Sequence, residues 1–68
     1  MMMAWTHKRE TFRLYSLIAG KVAEVTRCGN MWRATVWTAK GSSSVVWEYS
    51  REAKEWAELF WKQSVRER

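Results

Sequence analysis

The two-residue turn signal Gly29-Asn30 constrains the fold of this chain more than any other feature. It lies between two runs that alternate apolar and polar residues, GKVAEVTR and MWRATVWT, a pattern typical of a β-hairpin. A two-residue turn also fixes which residues lie opposite each other in the two strands. The predicted pairs are Cys28 with Met31, Arg27 with Trp32, Val25 with Ala34, and Ala23 with Val36.

A second turn signal, Lys40-Gly41, predicts a further antiparallel strand after this hairpin. It would set Val36 opposite Val45, Ala34 opposite Trp47, and Trp32 opposite Tyr49. Both registers place the same residues on one dry face: Ala23, Val25, Trp32, Ala34 and Val36. Because a slip of one residue would move every side chain to the other face, this agreement predicts a β-meander.

The upstream segment TFRLYSLIAG fits two structures. A strand over residues 12–18 would turn at Ala19-Gly20 and place Phe12 and Leu14 on the dry face, opposite Arg27 and Val25. Alternatively, Thr6 would cap a helix that ends at Gly20. The alternation of apolar and polar residues favours the strand. Residues 1–9 are expected to form a flexible tail.

The C-terminal segment YSREAKEWAELFWKQSVRER predicts a helix over about residues 51–65. Ser50 is a favourable N-cap residue. One apolar stripe follows helical spacing, and its members are Ala53, Trp56, Ala57, Phe60 and Ser64. Leu59 and Trp61 flank this stripe, and we expect Trp61 to be interior or to cover the tail.

The predicted fold class is α+β, an antiparallel β-meander of three to four strands packed on one face by a single C-terminal α-helix. The strands are placed at about 12–18, 21–28, 31–38 and 43–49, in one domain over residues 10–68. A chain of 68 residues builds only a small core. One cysteine allows no internal disulfide, so the six tryptophans, each able to bury roughly 200 Å², are expected to supply much of that core.

The composition limits the expected partners. The net charge is +5 and the pI about 9.9, a balance that suits acidic proteins or nucleic acid, although it is also ordinary for a small domain. No signal peptide and no membrane-spanning stretch is visible. The lone Cys28 fits a reducing compartment. We therefore expect a cytoplasmic protein that does not bind membranes.

The predicted sheet has a second face that is not uniformly polar. Leu17, Val22 and Trp37 would form an apolar row at one end, whereas Glu48 would lie opposite Arg33 at the polar end, near Arg13 and Thr26. An exposed apolar patch with a charged rim is typical of a contact surface. The predicted partner-binding residues are Arg13, Tyr15, Leu17, Val22, Arg33 and Trp37. Two alternatives stay open: the tail could fold Trp5 over Trp37, or two copies could bury this face.

The sequence offers little for catalysis. It has no Asp, hence no Ser-His-Asp triad, and Cys28 and His7 would meet only by accident. Glu24 and Glu48 would lie on non-adjacent strands, and the three glycines all fall in predicted turns. General acid–base work needs titratable groups gathered in a pocket. We therefore expect a protein that is not an enzyme and that uses no cofactor and no metal.

The order of GN, then WRATVW, then EYSREAKEWAE, over about residues 20 to 60, resembles the general build of small phage or mobile-element accessory proteins, including anti-CRISPR inhibitors. The resemblance transfers no functional residue. It implies a protein that occludes a larger host protein or nucleoprotein complex in the host cytoplasm.

The alternative is a sheet platform for DNA or RNA, possibly dimeric. Tyr15 and Trp37 would stack on bases, while Arg13 and Arg33 would hold phosphates. Glu24 and Glu48, predicted on the same face, would repel phosphate. Protein recognition is therefore placed ahead of nucleic-acid binding.

Overall fold

The computed structural model describes residues 3–66, which form five antiparallel strands followed by one helix. The elements are β1 (Met3–Lys8), β2 (Thr11–Ser16), β3 (Gly20–Cys28), β4 (Met31–Thr38), β5 (Gly41–Trp47) and α1 (Ser50–Arg66). The strands lie side by side in sequence order, so the sheet is a meander with a C-terminal helix packed on it. The α+β class is confirmed, but the sheet has five strands rather than three to four.

The additional strand, β1, lies where a flexible tail was expected. That expectation is wrong for residues 3–8, which pair with β2 and place Trp5 opposite Leu14. The turn between the two strands is Arg9-Glu10, with Arg9 in the left-handed region at a φ of 56°. Neither residue is a usual turn former, so the hairpin left no turn signal in the sequence. Residues 1 and 2 of the expected tail lie outside the described residues.

The β3–β4 register is confirmed pair by pair. The other two predicted registers are wrong by two residues. Val36 lies opposite Ser43 rather than Val45, because the turn is Ala39-Lys40 and Gly41 already pairs with Thr38. Phe12 likewise lies opposite Val25 rather than Arg27, since β2 ends at Ser16 and a three-residue turn follows. A shift of two residues leaves the side chains on the predicted face, so these two register errors by themselves change no face assignment.

A bulge interrupts the pairing of β2 with β3. Leu14 pairs with Ala23 and Tyr15 with Lys21, which leaves Val22 as the extra residue on β3. Val22 and Ala23 consequently both point into the core, with 2% and 0% of their surfaces exposed. An inserted residue of this kind changes which face the rest of the strand presents. The prediction that Val22 lies on the second face is therefore wrong.

Helix α1 packs its small residues against the sheet. Ala53 and Ala57 are fully buried and allow the helix to approach β3 and β4 closely. Trp61 is only 6% exposed and belongs to the core, as expected of an interior residue. The backbone carbonyl of Tyr49 accepts the first helical hydrogen bond from the Ala53 amide, so Ser50 is the first helical residue and not the N-cap.

The core lies between the helix and one face of the sheet, here called the helix face. Its residues form two adjoining clusters. In the first cluster, Trp61 packs with Leu14, Val22 and Val36. In the second cluster, Trp32, Trp47 and Trp56 pack around Val25, Ala34 and Ala53. Within residues 3–66, no helix is long and apolar enough to cross a lipid bilayer. The opposite face of the sheet, here called the open face, is covered by no helix of the described chain.

Candidate binding surface on the open face

The pairing register arranges the open face in three rows that cross all five strands. The aromatic row is Ala4, Tyr15, Lys21, Trp37 and Ser42, in which the contact of Lys21 with the Trp37 ring joins β3 to β4. The central row is Thr6, Arg13, Glu24, Thr35 and Ser44, and the basic row is Lys8, Thr11, Thr26, Arg33 and Val46. None of these side chains is fully buried.

The aromatic row presents two rings with a cation between them. Tyr15 and Trp37 are each 39% exposed, which leaves part of each ring accessible. The Lys21 ammonium lies 5.0 Å from the centroid of the Trp37 ring, within the range of a cation–π contact. The bulge produces this arrangement, because it turns Val22 inward and leaves Lys21 next to Tyr15 on the open face.

The charge of the open face is positive. Four cations, Lys8, Arg13, Lys21 and Arg33, stand against the single carboxylate of Glu24, a difference of +3 over the three rows. Glu24 accepts a hydrogen bond of 2.9 Å from the Arg13 guanidinium, and the Lys21 ammonium lies 3.8 Å away. Both partners neutralise Glu24, so a ligand over this face meets little negative potential.

Glu48 does not lie opposite Arg33, as predicted from the sequence. The residue opposite Arg33 is Val46, because the β4–β5 register differs from the prediction by two residues. Glu48 follows the end of β5 at Trp47. The Arg33 guanidinium instead lies 3.8 Å from the sulfur of the exposed Cys28. The carboxylate expected to neutralise the basic row is therefore missing from it.

The structure brings four of the six predicted site residues onto the open face: Arg13, Tyr15, Arg33 and Trp37. Leu17 lies beyond the sheet, in the turn between β2 and β3, where it is 81% exposed beside Ile18 at 87%. Val22 is in the core and cannot contact a partner in this fold.

Sequence reasoning missed Lys8 and Lys21 as members of this surface. Lys8 fell in the stretch expected to be a tail. Strict alternation from Ala23 turns Lys21 away from the open face. The apolar pair Val22-Ala23 is compatible with a bulge, but Val36-Trp37 and Val45-Val46 show the same pattern without one, so the sequence carried no specific signal for Lys21.

Trp5 does not cover Trp37, so that alternative is wrong for the described part of the expected tail, residues 3–9. Trp5 lies on the helix face, where it packs against both core clusters and its indole N–H donates to the Glu58 carboxylate. Burial of the open face by a second copy stays a hypothesis.

Among residues 3–66, no three His, Cys, Asp or Glu side chains lie close enough together to hold a metal ion. Comparison of the chain with protein-family models, with curated proteins and with solved structures gives no match.

Proposed function

We propose that the protein binds single-stranded nucleic acid on the open face of its sheet. The observation that supports this most directly is the combination of a +3 charge with two half-exposed rings in one row. Positive charge draws the phosphate backbone, and exposed rings stack on unpaired bases.

This proposal places nucleic-acid binding ahead of protein recognition, which is the reverse of the order expected from the sequence. Protein recognition depended on an apolar row of Leu17, Val22 and Trp37, but Val22 is buried and Lys21 stands beside Trp37. The argument against nucleic-acid binding was that Glu24 and Glu48, predicted on the same face, would repel phosphate. Glu24 is paired with two cations, and Glu48 lies beyond the end of β5.

The spacing of the two rings suits a flexible strand. Tyr15 on β2 and Trp37 on β4 are separated by two strand spacings, about 10 Å in total. Two bases of one strand would stack on these rings, with Lys21 between them. Arg33 and Lys8, in the basic row, would then hold phosphates on one side of the bases.

The width of the sheet favours a single strand over a duplex. Five strands span about 19 Å from the first to the last, at about 4.8 Å per spacing. The major groove of B-DNA is only about 12 Å wide and admits a helix or a two-stranded ribbon. The whole open face does not fit into that groove, whereas unpaired bases reach it freely.

The test is fluorescence anisotropy of labelled single-stranded and double-stranded oligonucleotides, titrated with nuclease-treated protein. We expect tighter binding to the single strand. Arg33→Gln should weaken it at least about threefold, since a phosphate contact is lost. The matched control is Lys62→Gln, which removes the same charge from an exposed position on the helix. Equal effects of the two variants, or no binding near physiological salt, would contradict the proposal.

A second candidate function is inhibition of a host nucleoprotein complex, as the resemblance to anti-CRISPR inhibitors implies. The observation that favours it is the apolar turn after β2, where Leu17 and Ile18 are 81% and 87% exposed. Neighbouring apolar side chains with this much exposed surface are typical of protein interaction sites. This candidate predicts that the protein inhibits target cleavage by purified CRISPR effector complexes. Leu17→Ser should abolish inhibition without changing oligonucleotide binding.

A further inference from the structure

Strand β5 is an edge strand with unusual composition. It is the last strand of the sheet, so one side of its backbone has no partner strand among residues 3–66. Its sequence, GSSSVVW, has no charged residue and no proline in a chain whose net charge is +5. Native edge strands are usually protected by Lys, Pro or a bulge. The other edge, β1, ends in Lys8 and is followed by Arg9.

The two valines of β5 are exposed on opposite faces of the sheet. Val45 is 37% exposed on the helix face, and Val46 is 46% exposed on the open face. Val45 is uncovered because α1 packs mainly over β3 and β4. A strand added at this edge would cover both valines and would also pair the free backbone groups.

The residues around β5 are complementary to their own copy. In an antiparallel pairing centred on Ser44, each Ser44 faces its counterpart, Val45 faces Ser43, and Val46 faces Ser42. The same register sets Glu48, after the strand, across from Lys40, before it, at both ends. Opposite charges on facing strands stabilise the pair, and a two-fold axis makes the two ends identical.

We propose that two copies of this chain associate by antiparallel pairing of their β5 strands about a two-fold axis at Ser44. Residues that face each other in such a pair lie on the same side of the sheet. The dimer is then one continuous ten-stranded sheet with both helices on one side and both open faces on the other. This inference does not rest on nucleic-acid binding, and it predicts the opposite response to salt: salt screens the repulsion between two chains of net charge +5 and strengthens the dimer.

The test is sedimentation velocity of the full chain over a range of protein concentrations. We expect the mass to rise toward twice the 8.1 kDa of one chain. Ser44→Lys should weaken the dimer at least about tenfold, because two ammonium groups then face each other at the axis. The matched control is Thr6→Lys, which adds the same charge to the same row at the β1 edge and should leave the dimer intact.

Mixing two oppositely charged variants tests whether the two-fold axis of the dimer passes through Ser44. Ser44→Lys and Ser44→Glu should each be monomeric, and an equimolar mixture of the two should restore the dimer, since opposite charges then meet. Circular dichroism checks that both variants are folded. A wild-type chain that stays monomeric at high salt and high concentration would overturn the inference. Failure of the mixture to associate, or a dimer lost in Thr6→Lys instead, would also overturn it.

Discussion

A single unpaired residue, Val22, decides which side chains the open face presents. Without the bulge, strict alternation would put Val22 beside Trp37 and turn Lys21 toward the core. With it, Val22 fills a core position and Lys21 contacts the Trp37 ring. The alternation rule alone could not predict this, because it has no place for an extra residue.

Two tryptophans in neighbouring strands should respond differently to truncation. Trp47 contacts the core on the helix face, so Trp47→Ala should cost roughly 3–5 kcal/mol, close to the whole stability of so small a domain. Trp37 is on the open face, so Trp37→Ala should stay folded and lose at least about fivefold in oligonucleotide affinity. Urea unfolding followed by circular dichroism, together with anisotropy, separates the two outcomes. If both variants unfold alike, the open face is not a free surface.

The pairing of Glu24 gives a variant that should gain function. Glu24→Gln removes the only carboxylate of the three rows and frees Arg13 and Lys21 for phosphate. We expect oligonucleotide affinity to rise about threefold or more at low salt. Stability should change by no more than about 1 kcal/mol, since the ion pair is partly exposed. Unchanged or weaker affinity would show that these cations do not meet phosphate. Glu55→Gln, at an exposed position on the helix, is the control.

At the scale of elements, the side of the sheet on which a side chain lies was easier to predict than the residue opposite it in the neighbouring strand. Gly29-Asn30 fixed one hairpin correctly, since both of its residues form the turn. Gly41 misled the second, because it is the first residue of β5 and not part of the turn. Both register errors were of two residues, and a strand repeats every two residues. The helix face was therefore predicted despite the wrong partners.

The glycines in or next to the turns do not adopt one conformation, and substitution should reveal this. Gly29 has a φ of 64°, inside the left-handed region that Asn also adopts, whereas Gly41 has a φ of 124°, outside it. A Cβ would meet no atom within 4 Å at either position, so backbone strain alone sets the cost. We expect Gly29→Asn to cost less than about 1 kcal/mol and Gly41→Asn about 1–3 kcal/mol. Parallel thermal and urea unfolding measures both.

Strand β1 should contribute measurably to stability. Trp5 contacts both core clusters and donates a hydrogen bond to Glu58. Trp5→Ala should therefore cost about 3 kcal/mol, at the lower end of the range for Trp truncation because the ring is partly exposed. Thr6→Ala, on the open face of the same strand, should change stability by less than about 0.5 kcal/mol. Equal unfolding midpoints for the two variants would mean that β1 adds little to the fold.

At the scale of the whole molecule, charge distribution was the property least accessible from sequence. The total of +5 was known, but the basic residues are spread along the chain with no long run. Four of the twelve Lys and Arg residues lie on the open face, and placing all four there required the strand β1 and the bulge in β3. Lys8 joins the open face only once β1 is a strand, and only the observed β5 register sets Val46 rather than Glu48 opposite Arg33. The two aromatic residues of the open face, Tyr15 and Trp37, could by contrast be placed there from the alternation of side chains along their strands alone.

The salt dependence of binding follows from the number of cations that meet phosphate. With about three phosphate contacts on a single strand, log K should fall with log salt concentration at a slope of about −2. An anisotropy series at increasing NaCl concentration measures it. Arg33→Gln should make the slope shallower by about 0.7, while Lys62→Gln should leave it unchanged. A slope near zero for the wild-type chain would contradict phosphate contact by the open face.

The contact between Trp5 and Glu58 affects the order in which parts of this fold can form. Each hairpin of the meander closes between neighbours in sequence, so it can form while the ribosome is still adding residues. Trp5 and its hydrogen-bond partner Glu58, by contrast, are 53 positions apart. Because α1 follows all five strands in the chain, the helix face of a nascent sheet stays exposed to water until α1 has been synthesised. Completion of the core is therefore a non-local step that follows the closure of the hairpins.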